Sequence, residues 1–185
     1  MITAGRLVAV AVLFVLLIFL NMVPEGSYWS KALSLVSGLL FASAMFSDML
    51  DGYLARKYKM VSTFGTFIDP LADKLLFLVA MILLIPLGWF SAWMTVLFMV
   101  REITVTALRS VAVEKGLVIS ASHWGKYKSA FISSAMTGIL LHYSFLNVHW
   151  REMGWLFIIP GLIFSLLSGV HYCWQFVTHL KGETI

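Results

Sequence analysis

"SDMLDGYLARKYKMVSTFGTFIDPLADK", residues 47–74, carries Asp48, Asp51, Asp69 and Asp73 in a 185-residue chain that has nine acidic residues in all and is 61% hydrophobic. Apolar runs flank it, "KALSLVSGLLFASAMF" before and "LLFLVAMILLIPL" after. A mean hydropathy of +0.92 with 12% charged residues lies outside the range of soluble globular domains and points to a bilayer. Several runs approach the roughly 20 residues that cross about 30 Å of hydrocarbon. Lipid offers backbone polar groups no partner, so these runs are read as helices. The Gly, Asp and Pro punctuation between them also argues against barrel strands of about 10 residues.

The expected fold is an all-α integral membrane protein, one domain over residues 1–185, with six transmembrane helices. They are placed near residues 6–22, 31–56, 64–87, 91–113, 124–146 and 153–177, separated by turn chemistry such as "VPEGS", "PLG" and "EKG". Leu7–Leu20 behind Arg6 has the look of a signal peptide, but "NMVPEGSYW" offers no small-x-small cleavage site. With both termini cytoplasmic, every Lys and Arg except Lys31 and Arg151 falls on the cytoplasmic side, a positive-inside bias that sets the orientation. The formal charge of +4 therefore sits at helix ends. That suits anionic lipid or a phosphorylated substrate, not nucleic acid. The single cysteine, Cys173, rules out an internal disulfide and is assigned to packing.

Helix length locates the aspartates. The uninterrupted apolar stretch Ala32–Phe46 spans roughly 22 Å, short of the hydrocarbon core, so the helix is expected to continue through Asp48 and Asp51. Leu75–Leu87 has the same shortfall, which draws Asp69 and Asp73 to the membrane-embedded start of the next helix. Spacings of three and four put each pair on one helix face, with Cβ atoms about 5–6 Å apart. Four unpaired carboxylates at about 2.5–3.5 kcal/mol each would cost on the order of 10 kcal/mol. Two divalent cations would cancel the charge, and an all-oxygen set suits Mg²⁺ or Mn²⁺ rather than zinc or copper. The alternative is a solvated turn in which the acids pair with Arg56, Lys57, Lys59 and Lys74. Same-face spacing on both helices is more than such a turn requires. Gly52 and Ala55 continue the first face and leave bare backbone for a flat ring or phosphate; close helix packing is the competing use of Gly52, as of Gly65. Arg56 either pairs with a phosphate or snorkels. Pro70 marks a first helical turn.

Asp48, Asp51, Gly52, Ala55, Arg56, Gly65, Asp69 and Asp73 match without departure the signature D-x2-D-G-x2-A-R-x8-G-x3-D-x3-D, and in this the chain resembles the CDP-alcohol phosphatidyltransferase family. The resemblance implies a six-helix membrane fold, usually dimeric, with the active site at the cytoplasmic face of a bacterial inner membrane. It implies two divalent ions on Asp48, Asp51, Asp69 and Asp73, with Asp73 also the general base, and CDP-diacylglycerol held by Gly52, Ala55 and Arg56. "VREITVTALR" (100–109), "WGKYKSA" (124–130) and "FSLLSGVHY" (164–172) resemble segments of the bacterial phosphatidylglycerophosphate synthases of that family. The acceptor so implied is sn-glycerol 3-phosphate, a dianion for which Arg101, Arg109, Lys126 and Lys128 are the candidate cations. Structural pairing of Arg101 with Glu102, and ordinary positive-inside charge for the other three, are the bland alternatives.

Rival acceptors are phosphatidylglycerol, inositol phosphate and serine. From another class, a divalent-cation transporter would hold acids near the midplane with a polar path to both faces. Here the acids gather at one end. "ITAGR" keeps the spacing of Thr3 and Arg6 common near the family's start but lacks an upstream asparagine and a later proline. The five histidines, His142 among them, have no metal-ligand partner at helical spacing and are assigned packing roles, and tryptophans such as Trp29, Trp89, Trp93, Trp150 and Trp155 are read as an aromatic belt.

Overall fold

The computed structural model describes residues 2–58, 63–114 and 123–182, with side chains at 5–47, 72, 74–114, 125 and 127–178. Six α-helices make up almost all of it: α1 (Ile2–Met22), α2 (Tyr28–Tyr58), α3 (Thr63–Leu84), α4 (Ala92–Glu114), α5 (His123–Leu141) and α6 (Trp150–Gly182). A two-residue-by-two-residue antiparallel ribbon, β1 (Ser144–Phe145) and β2 (Val148–His149), joins α5 to α6.

That ribbon is where the sequence reading fails, since α5 was expected to run to residue 146. The chain leaves the helix at His142, whose φ of 47° is left-handed, and reverses through Leu146 and Asn147 at φ 56° and 59°. Two consecutive positive φ values are the mark of a two-residue hairpin turn twisted to suit its strands. An apolar run hid this turn, and Leu146 ends up 94% exposed. Trp150 ties the ribbon back by donating its indole N–H to the Phe145 carbonyl at 3.2 Å.

Among the described residues, three helices contain stretches long and apolar enough to cross a membrane: Gly5–Met22, Tyr28–Ser47 and Trp150–Thr178. Within the described part of α3 the apolar stretch is Lys74–Leu84, and α4 is interrupted by Arg101, Glu102 and Arg109. α2 begins at Tyr28, before the expected Lys31, and continues to Tyr58.

α1 packs on α2 and α3, α2 on α5, and α4 on α6, with α5 and α6 the most intimate pair. Phe41, Leu76, Met81, Met136, Ile139 and Ile158 are fully buried between them. Large apolar side chains such as Phe19, Trp93, Ile103, Leu156 and Val170 point outward. Between lipid-immersed helices there is little hydrophobic drive, so close backbone approach has to hold them. At the α5–α6 contact it does: a Cβ on Gly154 would sit 2.7 Å from the Ile139 nitrogen and 2.8 Å from the Ala135 carbonyl oxygen, and one on Gly138 2.8 Å from the Trp150 carbonyl oxygen.

A polar cap closes the end of the bundle where α1, α3 and α5 finish and α2 begins. Ser34 donates to the carbonyls of Leu140 and Leu141 at 2.6 and 2.8 Å. The Tyr143 hydroxyl bonds Ser30 Oγ at 2.7 Å and accepts from the Gly26 N–H at 3.0 Å. Asn21 joins α1 to α3 through the Leu83 carbonyl at 2.9 Å. Trp89 was expected in the aromatic belt but is only 2% exposed. Gly88, at φ 67°, turns the chain back over α3 so that the Trp89 N–H reaches the Leu84 carbonyl at 3.1 Å. Its ring stacks on His142 at 3.5 Å between centroids. Burial first, and the positive Arg151 second, push the His142 pKa down to about 4 against the opposing pull of Glu25. The imidazole is thus neutral near pH 7, and its 3.6 Å approach to Glu25 is no ion pair there.

Candidate active site

Asp48, Asp51, Gly52, Ala55 and Arg56 lie in α2, and Gly65, Asp69 and Asp73 in α3; the side chains of these residues, and of Lys126 in α5, lie outside the described residues. Helical register carries information up to them. In α2 the buried stripe runs through Ser30, Ser34, Ser37, Phe41 and Ala44, and steps of three and four continue it to positions 48, 51 and 55. In α3 the buried stripe of Ala72, Leu76, Ala80 and Leu84 extends back to positions 69 and 73. By count alone, positions 48, 51, 69 and 73 follow these stripes in steps of three and four.

Described side chains from four helices assemble a charged cluster. Glu102 of α4 accepts from Arg101 at 2.5 Å and also from the Lys128 ammonium of α5. Arg101 donates its Nε–H to the Ser165 carbonyl at 2.8 Å and an Nη2–H to the Ser168 hydroxyl, both on α6. Lys74 of α3 donates to the Thr106 hydroxyl, which itself donates to the Glu102 carbonyl at 2.7 Å. Among the described side chains of this cluster, three cations face one carboxylate. Arg109 stands apart, exposed, with its guanidinium 5.9 Å from the centre of the Tyr172 ring.

The cluster borders a cavity of about 1080 Å³. Lys74, Glu102 and Lys128 form its polar corner, while Met45, Phe77, Phe98, Met99, Met153 and Phe157 line much of the remainder. One charged corner on a long apolar hollow suits an amphiphile whose head is anionic. Of the four cations put forward for an acceptor phosphate, only Lys128 lines the cavity among the described residues; Arg101 faces α6 instead. Sequence reasoning weighed Glu102 only as a structural partner of Arg101 and Lys74 only as part of a basic turn. The adjacent Arg101–Glu102 pair inside an apolar helix was the available signal.

An all-α fold with helices long and apolar enough to cross a membrane places the chain among integral membrane proteins. More narrowly, the chain belongs to the CDP-alcohol phosphatidyltransferase family, whose model matches residues 1–170. It is similar to the CDP-diacylglycerol–glycerol-3-phosphate 3-phosphatidyltransferase of Bacillus subtilis (strain 168), 36% identical over 141 residues, covering 75% of this chain and 72% of that protein. A probable phosphatidylglycerophosphate synthase of Mycobacterium tuberculosis (strain CDC 1551 / Oshkosh) is 39% identical over 165 residues, 89% of this chain and 77% of that one. A Haemophilus influenzae (strain ATCC 51907 / DSM 11121 / KW20 / Rd) protein named as the Bacillus one is 32% identical over 151 residues, 79% and 76% of the two chains.

Proposed function

We propose that this protein is a CDP-diacylglycerol-dependent phosphatidyltransferase that makes phosphatidylglycerophosphate and CMP from CDP-diacylglycerol and sn-glycerol 3-phosphate. The observation that carries this reading is the aspartate signature, Asp48 to Asp73, complete inside the family match over residues 1–170. The names of the relatives supply the donor and acceptor. In the net reaction an acceptor hydroxyl oxygen bonds to the phosphorus that carries diacylglycerol. The bond from that phosphorus to the CMP phosphate oxygen breaks, and CMP leaves with the electron pair.

Asp73 takes the acceptor's proton, a general-base role for which a carboxylate in a low-dielectric site is suited. Asp48, Asp51, Asp69 and Asp73 form an all-oxygen, fourfold negative donor set, which fits two Mg²⁺ or Mn²⁺ ions. Bound there, such ions would supply neutralisation of pyrophosphate charge. Gly52, Ala55 and Arg56 hold the CDP side of the donor. Lys128, with Arg101, Arg109 and Lys126 contributing charge, faces the acceptor phosphate, and the positive surplus of the described cluster is complementary to a dianion.

The chain forms one domain over residues 1–185 with six spans, both termini cytoplasmic, in a bacterial inner membrane, with the active site at the cytoplasmic face, and it assembles as a homodimer. The distribution of Lys and Arg supports the orientation. The test uses purified protein in detergent with CDP-diacylglycerol, Mg²⁺ or Mn²⁺, and glycerol 3-phosphate, serine, inositol phosphate or phosphatidylglycerol in separate reactions. CMP release and a phosphatidylglycerophosphate product with glycerol 3-phosphate alone, lost with EDTA, is the expected result. Product with another acceptor overturns the acceptor assignment, and no CMP with any acceptor overturns the reaction.

A further inference from the structure

We infer that Glu102 is a positioning residue for the acceptor anion, locked to α6 through Arg101 and holding the Lys128 ammonium at the polar corner of the cavity. The inference rests on the proposed acceptor being an anion. Glu102 is the single acidic residue among the described residues lining the cavity. Its carboxylate is shared by two cations from different helices, Arg101 of α4 and Lys128 of α5.

The two cations are not equivalent. Arg101 spends its remaining described donors on the Ser165 carbonyl and the Ser168 hydroxyl and does not line the cavity. Its side chain lies directly against Gly169, where an added Cβ would come within 3.1 Å of Arg101 Cγ and 3.2 Å of Nε. Arg101 therefore neutralises Glu102 and bolts it to α6. Lys128 does line the cavity, and an ammonium has three donors, so the one given to Glu102 fixes its place without exhausting it.

A simple helix bolt would need only Arg101 and α6. The third member is what points to a ligand. Without the Glu102 charge, Lys128 would be a nearly buried ammonium beside Lys74 and Arg101, with no other carboxylate among the described residues of the cluster. That is an expensive arrangement, which the side chain would relieve by moving away from the corner. The chain of contacts Gly169–Arg101–Glu102–Lys128 thus sets where the acceptor's anion is received, although Glu102 itself carries the wrong sign to bind it.

Glu102→Gln, Glu102→Asp and Gly169→Ala are assayed in the full-length protein with the two substrates varied separately. Glu102→Gln should raise the apparent KM for sn-glycerol 3-phosphate about tenfold, the size expected on losing one charge-assisted contact. The KM for CDP-diacylglycerol should stay within about twofold, and Glu102→Asp should recover part of the loss. Gly169→Ala keeps every charge and favours the helix, so it folds even where the charge variant does not. It should raise the acceptor KM by a smaller factor, about two- to threefold, through displacement of Arg101. An unchanged acceptor KM in either variant, an equal rise for both substrates, or a fall in kcat alone overturns the positioning role. If the wild-type enzyme shows no dependence on glycerol 3-phosphate, the functional reading itself falls and this inference with it.

Discussion

The two polar regions of the bundle are built on opposite principles. At the cap, Ser30, Ser34, Asn21 and Tyr143 are neutral, and their bonds run to backbone groups or to each other, crossing between helices at 2.6–3.0 Å. At the other end, the described side chains of Lys74, Arg101, Glu102 and Lys128 set three cations around one carboxylate beside a cavity. Satisfied neutral networks rigidify a fold at modest cost. Buried charge in surplus is a poor way to stabilise a protein and a good way to receive an ion of the opposite sign. The cap therefore serves the fold, and the charged corner is where we propose the ligand is received.

Substitutions can break that division. The largest effect is expected for Asp73→Asn, which should lower turnover by about a hundred- to ten-thousand-fold while the protein still folds and binds CDP-diacylglycerol. Full activity in that variant would remove the general base and with it the claim that this end is the working end. Next comes Gly154→Ala. Its new Cβ meets backbone atoms of α5 at 2.7 and 2.8 Å, so thermal unfolding in detergent should show a loss toward the upper end of about 1–3 kcal/mol. Specific activity per folded molecule should persist, and a selective change in substrate KM would blur the division.

Acid provides the third test. The His142 pKa is depressed from 6.5 to about 4, so above pH 6.5 neither state carries the proton. Between these values the unfolded chain takes it up and the folded protein does not. Stability is therefore fully present above pH 6.5 and falls as the pH drops toward 4, by on the order of 3 kcal/mol. His142→Asn, which tolerates the left-handed backbone, should abolish that part of the acid sensitivity; an unaltered pH profile of unfolding would show the imidazole is not responsible. The smallest effect is expected for Tyr143→Phe. Losing the Ser30 and Gly26 bonds should cost about 1 kcal/mol, read in the same unfolding measurement, with turnover unchanged.

The aspartate positions and the helices that carry them were legible because hydropathy and helical period act locally. Spacings of three and four within each aspartate pair are read directly from the sequence. The charged corner was only half legible. Arg101 in an apolar helix called for a partner, but whether that partner was a ligand or α6 depended on a helix some sixty residues away, through Ser165 and Ser168. The left-handed turn at Leu146 and Asn147 was illegible in an apolar run, because its signal is a pair of backbone angles that leucine seldom adopts. Trp89 was misassigned for a related reason. Belt and core tryptophans have the same sequence surroundings, and only the turn at Gly88 sends this one inward.

By itself the sequence determined that the chain is helical and apolar, that four carboxylates stand at inward-compatible spacings on two helices, and that their pattern is that of the CDP-alcohol phosphatidyltransferases. Each of these follows from neighbours within a few turns. Tertiary structure alone decided which cations meet which carboxylate, that Arg101 turns to α6 while Lys128 lines the cavity, and that Gly138 and Gly154 let α5 and α6 touch. The physical reason is range: local periodicity sets the face a residue occupies, whereas a salt bridge or a backbone contact depends on which other face the folded bundle brings against it.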